Sequence, residues 1–305
     1  MDPLATQIIE HDRGLGTAYE RWCFYQLVEK WAQEYGVESA LEGPIDGMAG
    51  VSGVHLVGLA RRGVKVTSAL PGEEKARLAR GVYERAGGGG SVQVLAVADP
   101  ERAVEQLPQS DMVVAYHALP LVADWRTYLR GVAKLARKVL VVTVCNPDNW
   151  GVAAIRFAAR LRGRRDLDAP ETWQTAALAP ELWGLGRVRE HVYFDAPWWP
   201  DLQVAPGQTL VDRARQLAGQ RRSKLRFTAE ESGAKLAERF VYGTDRWPYF
   251  GGPGWLDELL PALLRHPGFD GSRSRWRSRI AHLHGFVVDM RPRSPQARRR
   301  LVRVA

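Results

Sequence analysis

The sequence is poor in features that mark secreted, membrane-spanning and disulfide-stabilised proteins. It has 2 cysteines among 305 residues, Cys23 and Cys145, which predicts free thiols of the kind found in the reducing cytosol. No apolar run approaches the ~20 residues that a bilayer-spanning helix needs. Residues 1–14 lack a basic segment followed by an apolar one. We therefore expect a cytoplasmic protein without a secretory signal or a membrane segment.

Several catalytic and ligand-binding motifs are also missing. The chain has no Cys-x-x-Cys and no His-Glu-x-x-His, and the pair His282 and His284 lacks a further ligand cluster, so we expect no metal site. No phosphate loop ends in Gly-Lys-Ser/Thr, and no Gly-x-Ser-x-Gly nucleophile elbow occurs. The absence of a regular Gly-x-Gly-x-x-Gly disfavours a dinucleotide-binding fold.

The charge of the chain is unbalanced, with a formal net value of +9. Such an excess is typical of nucleic-acid binders, and here it is concentrated in arginines between residues 273 and 303. Arginine outnumbers lysine, however, and that bias often follows genomic base composition. Contact with nucleic acid therefore stays open but is not favoured over a solvated basic surface or a partner-binding tail.

The first half of the chain alternates strand and helix patterns. The strand patterns lie at 39–42, 64–68, 92–97, 112–116 and 139–145, and the helical patterns at 17–35, 53–62, 73–86 and 125–136. Residues 139–145 are almost continuously apolar, which is typical of a strand buried on both faces. This alternation predicts a doubly wound, mostly parallel α/β sheet. Ligand sites in such sheets lie at the carboxyl ends of the strands.

The second half is rich in tryptophan and proline. It contains strand patterns at 188–194 and 281–290, with helical patterns at 208–219 and 229–239 between them. We divide the chain into an N-terminal helical lid (1–36), a Rossmann-like core (37–194), a helical and loop-rich insertion (195–280), and a last core strand with a basic tail (281–305).

The loop from Glu42 to Gly50 carries the strongest ligand-binding pattern. An acid ends the first strand, and glycines follow before a helix. Glycines let the backbone approach a ligand closely, and a helix N-terminus offers free N–H groups. A carboxylate at this point suits hydroxyl or ammonium groups rather than phosphates. Asp46, within the loop, is equally suited to capping the next helix.

This loop and its position resemble the first motif of the class I S-adenosylmethionine-dependent methyltransferases, an acid followed by a glycine-rich turn. The resemblance covers residues 36–150 and 281–290, and the latter is similar to the last, antiparallel strand of that family. Pro44 and Asp46 stand where the family usually has glycines. The second strand ends at Leu70 and Pro71, without the family's ribose-binding acid.

The resemblance implies a cofactor, S-adenosylmethionine, and a set of site residues. The implied cofactor-binding residues are Glu42, Gly43, Pro44, Asp46, Gly47, Leu70, Asp99 and Ala115. His117 is the first candidate for a general base and Tyr116 a lesser one, while the implied substrate-binding residues are Tyr19, Arg21, Asn146, Asn149 and Trp150. Asp99 equally suits a helix cap, His117 a structural histidine, and Asn149 a turn.

The aromatic residues of the insertion point to the kind of substrate. Trp198, Trp199, Trp247 and Tyr249 suit an apolar or planar small molecule, although core packing or a homodimer interface would use the same residues. An RNA or protein methyltransferase is an alternative, but the Asn/Asp-Pro-Pro-aromatic motif of RNA-modifying members does not follow the fourth strand. A non-catalytic protein that keeps the fold is the third hypothesis.

Overall fold

The computed structural model describes residues 15–45, 47, 51–86, 89–161, 163, 169–195 and 275–292. The strands are β1 (Ser39–Glu42), β2 (Lys65–Pro71), β3 (Val92–Val97), β4 (Ser110–Tyr116), β5 (Ala136–Cys145), β6 (Arg187–Phe194) and β7 (Leu283–Asp289). The helices are α1 (Leu15–Tyr35), α2 (Val57–Arg61), α3 (Glu73–Arg85), α4 (Pro100–Ala103), α5 (Trp125–Leu135), α6 (Trp150–Leu161), α7 (Thr175–Leu185) and α8 (Arg275–Ile280).

The strands form one seven-stranded sheet in the order β3-β2-β1-β4-β5-β7-β6. Strands β1 to β5 pair in parallel, whereas β7 is antiparallel to both β5 and β6. The predicted mostly parallel sheet with a final antiparallel strand is therefore confirmed. Because β1 to β5 run in one direction, they all end at one edge of the sheet, which we call the carboxyl edge.

Helices cover both faces of the sheet, as the predicted alternation requires. Alternate residues of β4 face opposite sides, with Val114 and Tyr116 packing toward α1, α2 and α3 and Val113 and Ala115 packing toward α5 and α7. Burial of two apolar faces fixes the register of each central strand, because a shift of one residue would exchange the faces. The carboxyl edge is thereby held between two packed layers.

Helix α2 is shorter than the helix predicted at 53–62. Residues 51–56 form turns instead, and side chains from other elements bind the carbonyl groups of this segment. Arg21 donates to the Val51 oxygen at 2.7 Å, and Tyr25 donates to the Val54 oxygen at 3.0 Å. Tertiary hydrogen bonds thus replace the first helical turn, which local spacing alone cannot show.

Several sequence predictions lie outside the described residues. These are Asp46, the helical segments at 208–219 and 229–239, the aromatic residues Trp198, Trp199, Trp247 and Tyr249, and the basic tail beyond residue 292. The side chain of Tyr19 is likewise not described. Among the helices that are described, none has the length and apolar character that crossing a bilayer requires.

Candidate active site at the carboxyl edge

The order of the strands reverses at β1, which lies between β2 and β4. A crevice opens at such a point in doubly wound sheets, outside the carboxyl ends of the two diverging strands. Here the loop after β1 lies against the end of β4, because Gly43 donates to the Val114 oxygen at 2.9 Å and Gly47 to the Tyr116 oxygen at 3.2 Å. The candidate site is built around this contact.

Gly47 has to be a glycine because of its distance from β4. A Cβ atom added to Gly47 would stand 2.6 Å from both the Cβ and the carbonyl oxygen of His117. Gly53 is similarly constrained, with a φ of +74° and a Cβ position 2.4 Å from the Ser68 hydroxyl. The glycines of this segment therefore serve close packing against the ends of β4 and β2.

The carboxylate of Glu42 is buried and held by the chain's own groups. One oxygen accepts the backbone N–H of His55 at 3.0 Å, and the other lies 2.5 Å from Nδ1 of the same residue. Burial raises the pKa of Glu42 to about 8, against the lowering effects of the His55 N–H and the charge of Arg21. Glu42 and His55 therefore form a buried acid–imidazole pair beneath the loop, and any contact of Glu42 with a cofactor stays a prediction.

Three aromatic rings stack at the carboxyl edge. Tyr116 lies between His55, at 3.9 Å between ring centroids, and His117, at 4.8 Å. Phe24 of α1 meets the Tyr116 ring edge-on at 4.6 Å. The Tyr116 hydroxyl donates to the carboxylate of Glu20 at 2.7 Å. The stack thus joins the loop after β1, the end of β4 and helix α1.

His117 has two unusual features for a residue at a strand end. Its φ is +50°, a left-handed value that non-glycine residues seldom adopt. Its Nδ1 lies 3.8 Å from the Cys145 sulfur, whereas its Nε2 is buried without a hydrogen-bond partner. Burial lowers the pKa of His117 to about 3, and the charge of His55 adds to this effect. The imidazole is therefore neutral at physiological pH.

Glu20 and Asp195 form a pair of acids beside the stack. Asp195 directly follows β6, and its Oδ2 lies 3.0 Å from Nδ1 of His282. Burial raises the pKa of Glu20 to about 8, and the charge of Asp195 raises it further, while Tyr116, Arg21 and His282 act in the opposite direction. The two carboxyl groups are thus close enough to interact electrostatically.

The side chains of Asn146 and Asn149 both make hydrogen bonds to the segment before β7. The Asn146 amide donates to the carbonyl oxygens of Ser278 and Ala281, each at 2.7 Å. The Asn149 amide donates to the oxygens of Ile280 and Ala281 at 3.0 and 3.1 Å. Both side chains are buried. They anchor the segment before β7 to the turn after β5, and their contact with a substrate stays a prediction.

The remaining predicted residues are placed in different environments. Leu70, Ala115 and Pro44 are buried, and Asp99 caps α4 by accepting the Arg102 N–H at 3.2 Å. The Asp99 side chain remains 53% exposed near the end of β3. Trp150 begins α6 and is 47% exposed, whereas the guanidinium of Arg21 is buried beside the loop after β1. Only the environments of these residues are thereby established, and their ligand contacts stay predictions.

Sequence reasoning did not predict three interactions of the site: Glu20 with Asp195, His55 with Glu42, and His282 with Asp195. A signal existed for Asp195, since it is an acid at the end of a predicted strand, as Glu42 is. No comparable signal existed for His55, whose contact with Glu42 spans 13 residues through a turn. Among the described residues, no three His, Cys, Asp or Glu side chains are grouped to hold a metal ion.

No family model matches the chain, and no curated protein matches its sequence. Among solved structures, the N-terminal domain of EvdMO1 with SAH bound is 21% identical, with a TM-score of 0.32 over 42% of this chain and 50% of that one. This chain thus spans half the length of that structure.

Two further solved structures are similar to a larger part of the chain. Magnesium protoporphyrin IX methyltransferase (ChlM) from Synechocystis PCC 6803, with bound SAH, is 17% identical, with a TM-score of 0.42 over 59% of this chain and 81% of that one. The plantazolicin methyltransferase BamL is 10% identical, with a TM-score of 0.44 over 90% and 85%. The fold assignment itself rests on the strand order: a parallel β3-β2-β1-β4-β5 sheet extended by antiparallel β7 and then β6 gives this chain a class I, Rossmann-like methyltransferase fold.

Proposed function

We propose that the chain is an S-adenosylmethionine-dependent methyltransferase that acts on a small, apolar or planar molecule. One observation carries the proposal: at the switch point of the sheet, the loop after β1 packs closely against His117, whose buried Nε2 has no hydrogen-bond partner. A buried polar atom without a partner costs free energy, which a ligand in the crevice would offset.

The types of residue at the carboxyl edge suit the chemical groups of the cofactor. We propose that the loop from Glu42 to Gly47 holds its amino-acid part, and that Leu70 and Asp99, near the ends of β2 and β3, hold its adenosine. When bound, S-adenosylmethionine supplies a methyl group on a sulfonium for in-line displacement. The chain contributes alignment of the acceptor and exclusion of water.

His117 is better suited to positioning the acceptor than to taking its proton. A general base works best with a pKa near the working pH, and burial holds the pKa of His117 far below that range. We propose that Nε2 of His117 orients the acceptor atom through a hydrogen bond, while stacking on Tyr116 fixes the imidazole ring.

Calorimetric titration with S-adenosylmethionine and S-adenosylhomocysteine tests this function. We expect one site per chain, and we expect Glu42→Gln to weaken binding by roughly tenfold, since the amide alters the buried pair that supports the loop. Exposed Glu105→Gln is the matched control and should leave the affinity unchanged. Unchanged affinity in Glu42→Gln would show that the pocket is placed wrongly. Absence of binding by the unmodified chain at millimolar ligand would contradict the proposed function.

The second candidate is a non-catalytic protein that keeps the fold without the cofactor. The observation that favours it is Leu70, whose side chain is fully buried where the family has an acid for the ribose. Glu73, the next acid along the chain, pairs with Arg80 at the surface. The same titration separates the two candidates, because only the methyltransferase binds the cofactor.

A further inference from the structure

Glu20 and Asp195 reach the same end of the sheet from distant parts of the chain. Glu20 lies on α1, next to the end of β4, because Tyr116 donates to its carboxylate. Asp195 follows β6, which runs parallel to β5 since both are antiparallel to β7. Both acids therefore border the candidate active site at the carboxyl edge.

The carboxyl group of Asp195 is incompletely satisfied. The residue is 2% exposed, and one oxygen is paired with His282. The other oxygen is buried without a hydrogen-bond partner. The backbone of Asp195 has a φ of +53°, a costly conformation that persists only where the surrounding structure imposes it. An unpaired buried carboxylate oxygen is costly as well, so the arrangement favours an incoming hydrogen-bond donor.

Glu20 is an acid that interacts with Asp195 through its charge. Desolvation and the charge of Asp195 raise its pKa to about 8, and the groups that oppose them are Tyr116, Arg21 and His282. At neutral pH Glu20 therefore keeps its proton. A cation placed between the two carboxyl groups would displace that proton, because it stabilises both as carboxylates.

We propose that Glu20 and Asp195 bind a protonated amino group of the substrate, so that the enzyme acts on small molecules carrying an amine. This inference rests on the proposed methyltransferase function. An ammonium group supplies up to three hydrogen-bond donors and one positive charge, which match two carboxyl groups with an unused oxygen. A metal ion fits less well, since no suitable ligand group occurs among the described residues. An anionic substrate group would be repelled.

The binding of simple amines tests the inference with the full chain. The probes are ethylamine and 2-phenylethylamine, each compared with the alcohol of the same carbon skeleton, in the presence of saturating S-adenosylhomocysteine. We expect each amine to bind at least about tenfold more tightly than its alcohol. Calorimetry in buffers of different ionisation enthalpy should show close to one proton released on binding at pH 7.

The variants Asp195→Asn and Glu20→Gln should each weaken amine binding about tenfold, and Glu20→Gln should abolish the proton release. Exposed Glu105→Gln is the control, and binding of S-adenosylhomocysteine to every variant reports an intact fold. Equal affinity for amines and alcohols, or amine binding that both variants retain, would overturn the inference while leaving the methyltransferase function intact. Failure of S-adenosylhomocysteine to bind the unmodified chain would instead count against the function itself.

Discussion

His117 and Asp195 share a combination of features that sets them apart among the described residues. Within that part of the chain they are the two non-glycine residues with positive φ, and each has a buried side-chain atom without a hydrogen-bond partner. His117 follows β4 and Asp195 follows β6. Strained backbone and unsatisfied polar atoms both cost stability. Ligand-binding sites often contain such destabilising features. Their occurrence together at one edge of the sheet is therefore expected of a binding site.

The backbone strain at His117 can be measured by comparing two substitutions that both remove the imidazole, His117→Gly and His117→Ala. Left-handed backbone costs an L-residue roughly 1–2 kcal/mol but costs glycine little. We therefore expect His117→Gly to be more stable than His117→Ala by about 1 kcal/mol in urea denaturation.

Exposed Gln26 in helix α1 provides the matched control, because glycine there should be less stable than alanine by about 1 kcal/mol. A His117→Ala variant as stable as His117→Gly would contradict the strained backbone at the end of β4.

For the secondary-structure elements, the periodicity of apolar residues was sufficient to predict the sheet but not the contacts of the candidate site. The nearly continuous apolar run of β5 and the alternation before it predicted the parallel sheet, because burial on both faces imposes that pattern. Residues 53–56 were predicted as helix but form turns, since local spacing does not reveal that Arg21 and Tyr25 bind carbonyl groups of this segment. Contacts between residues that are distant in the sequence cannot be predicted from a local pattern.

The same limit explains Asn146 and Asn149. Their position after β5 at the carboxyl edge was predicted correctly, and position alone suggested contact with a substrate. Their amides also bind carbonyl groups of the segment before β7, more than 130 residues away along the chain. A residue's place at the correct edge of a sheet therefore predicts its neighbourhood, whereas its distant hydrogen-bond partners cannot be predicted from that place alone.

For the whole molecule, the buried acids and histidines predict how stability depends on pH. Glu20 and Glu42 have pKa values raised from 4.5 to about 8, and His117 and His284 have pKa values lowered from 6.5 to about 3. Between pH 4.5 and 6.5 the two acids make the free energy of unfolding fall as pH rises, whereas the two histidines make it rise. Above pH 6.5 only the two acids change the free energy of unfolding, because the two histidines are then neutral in both the folded and the unfolded chain.

We therefore expect the free energy of unfolding to fall as pH rises from 6.5 to 8. Over this range the folded chain keeps protons on Glu20 and Glu42 that the unfolded chain has released. Urea denaturation at several pH values measures the slope, which Glu20→Gln should reduce and Glu105→Gln should not. A stability that is constant or rises over this range would show that the two acids are ionised in the folded chain.

The central claim is that the crevice between β1 and β4 binds S-adenosylmethionine. Hydrogen exchange with and without S-adenosylhomocysteine tests it most directly, because it reports both binding and place. We expect slower exchange in residues 42–56 and 116–119, with no change at the opposite edge of the sheet in residues 106–110. No protection at millimolar ligand, or protection that spares both segments at the carboxyl edge, would contradict it.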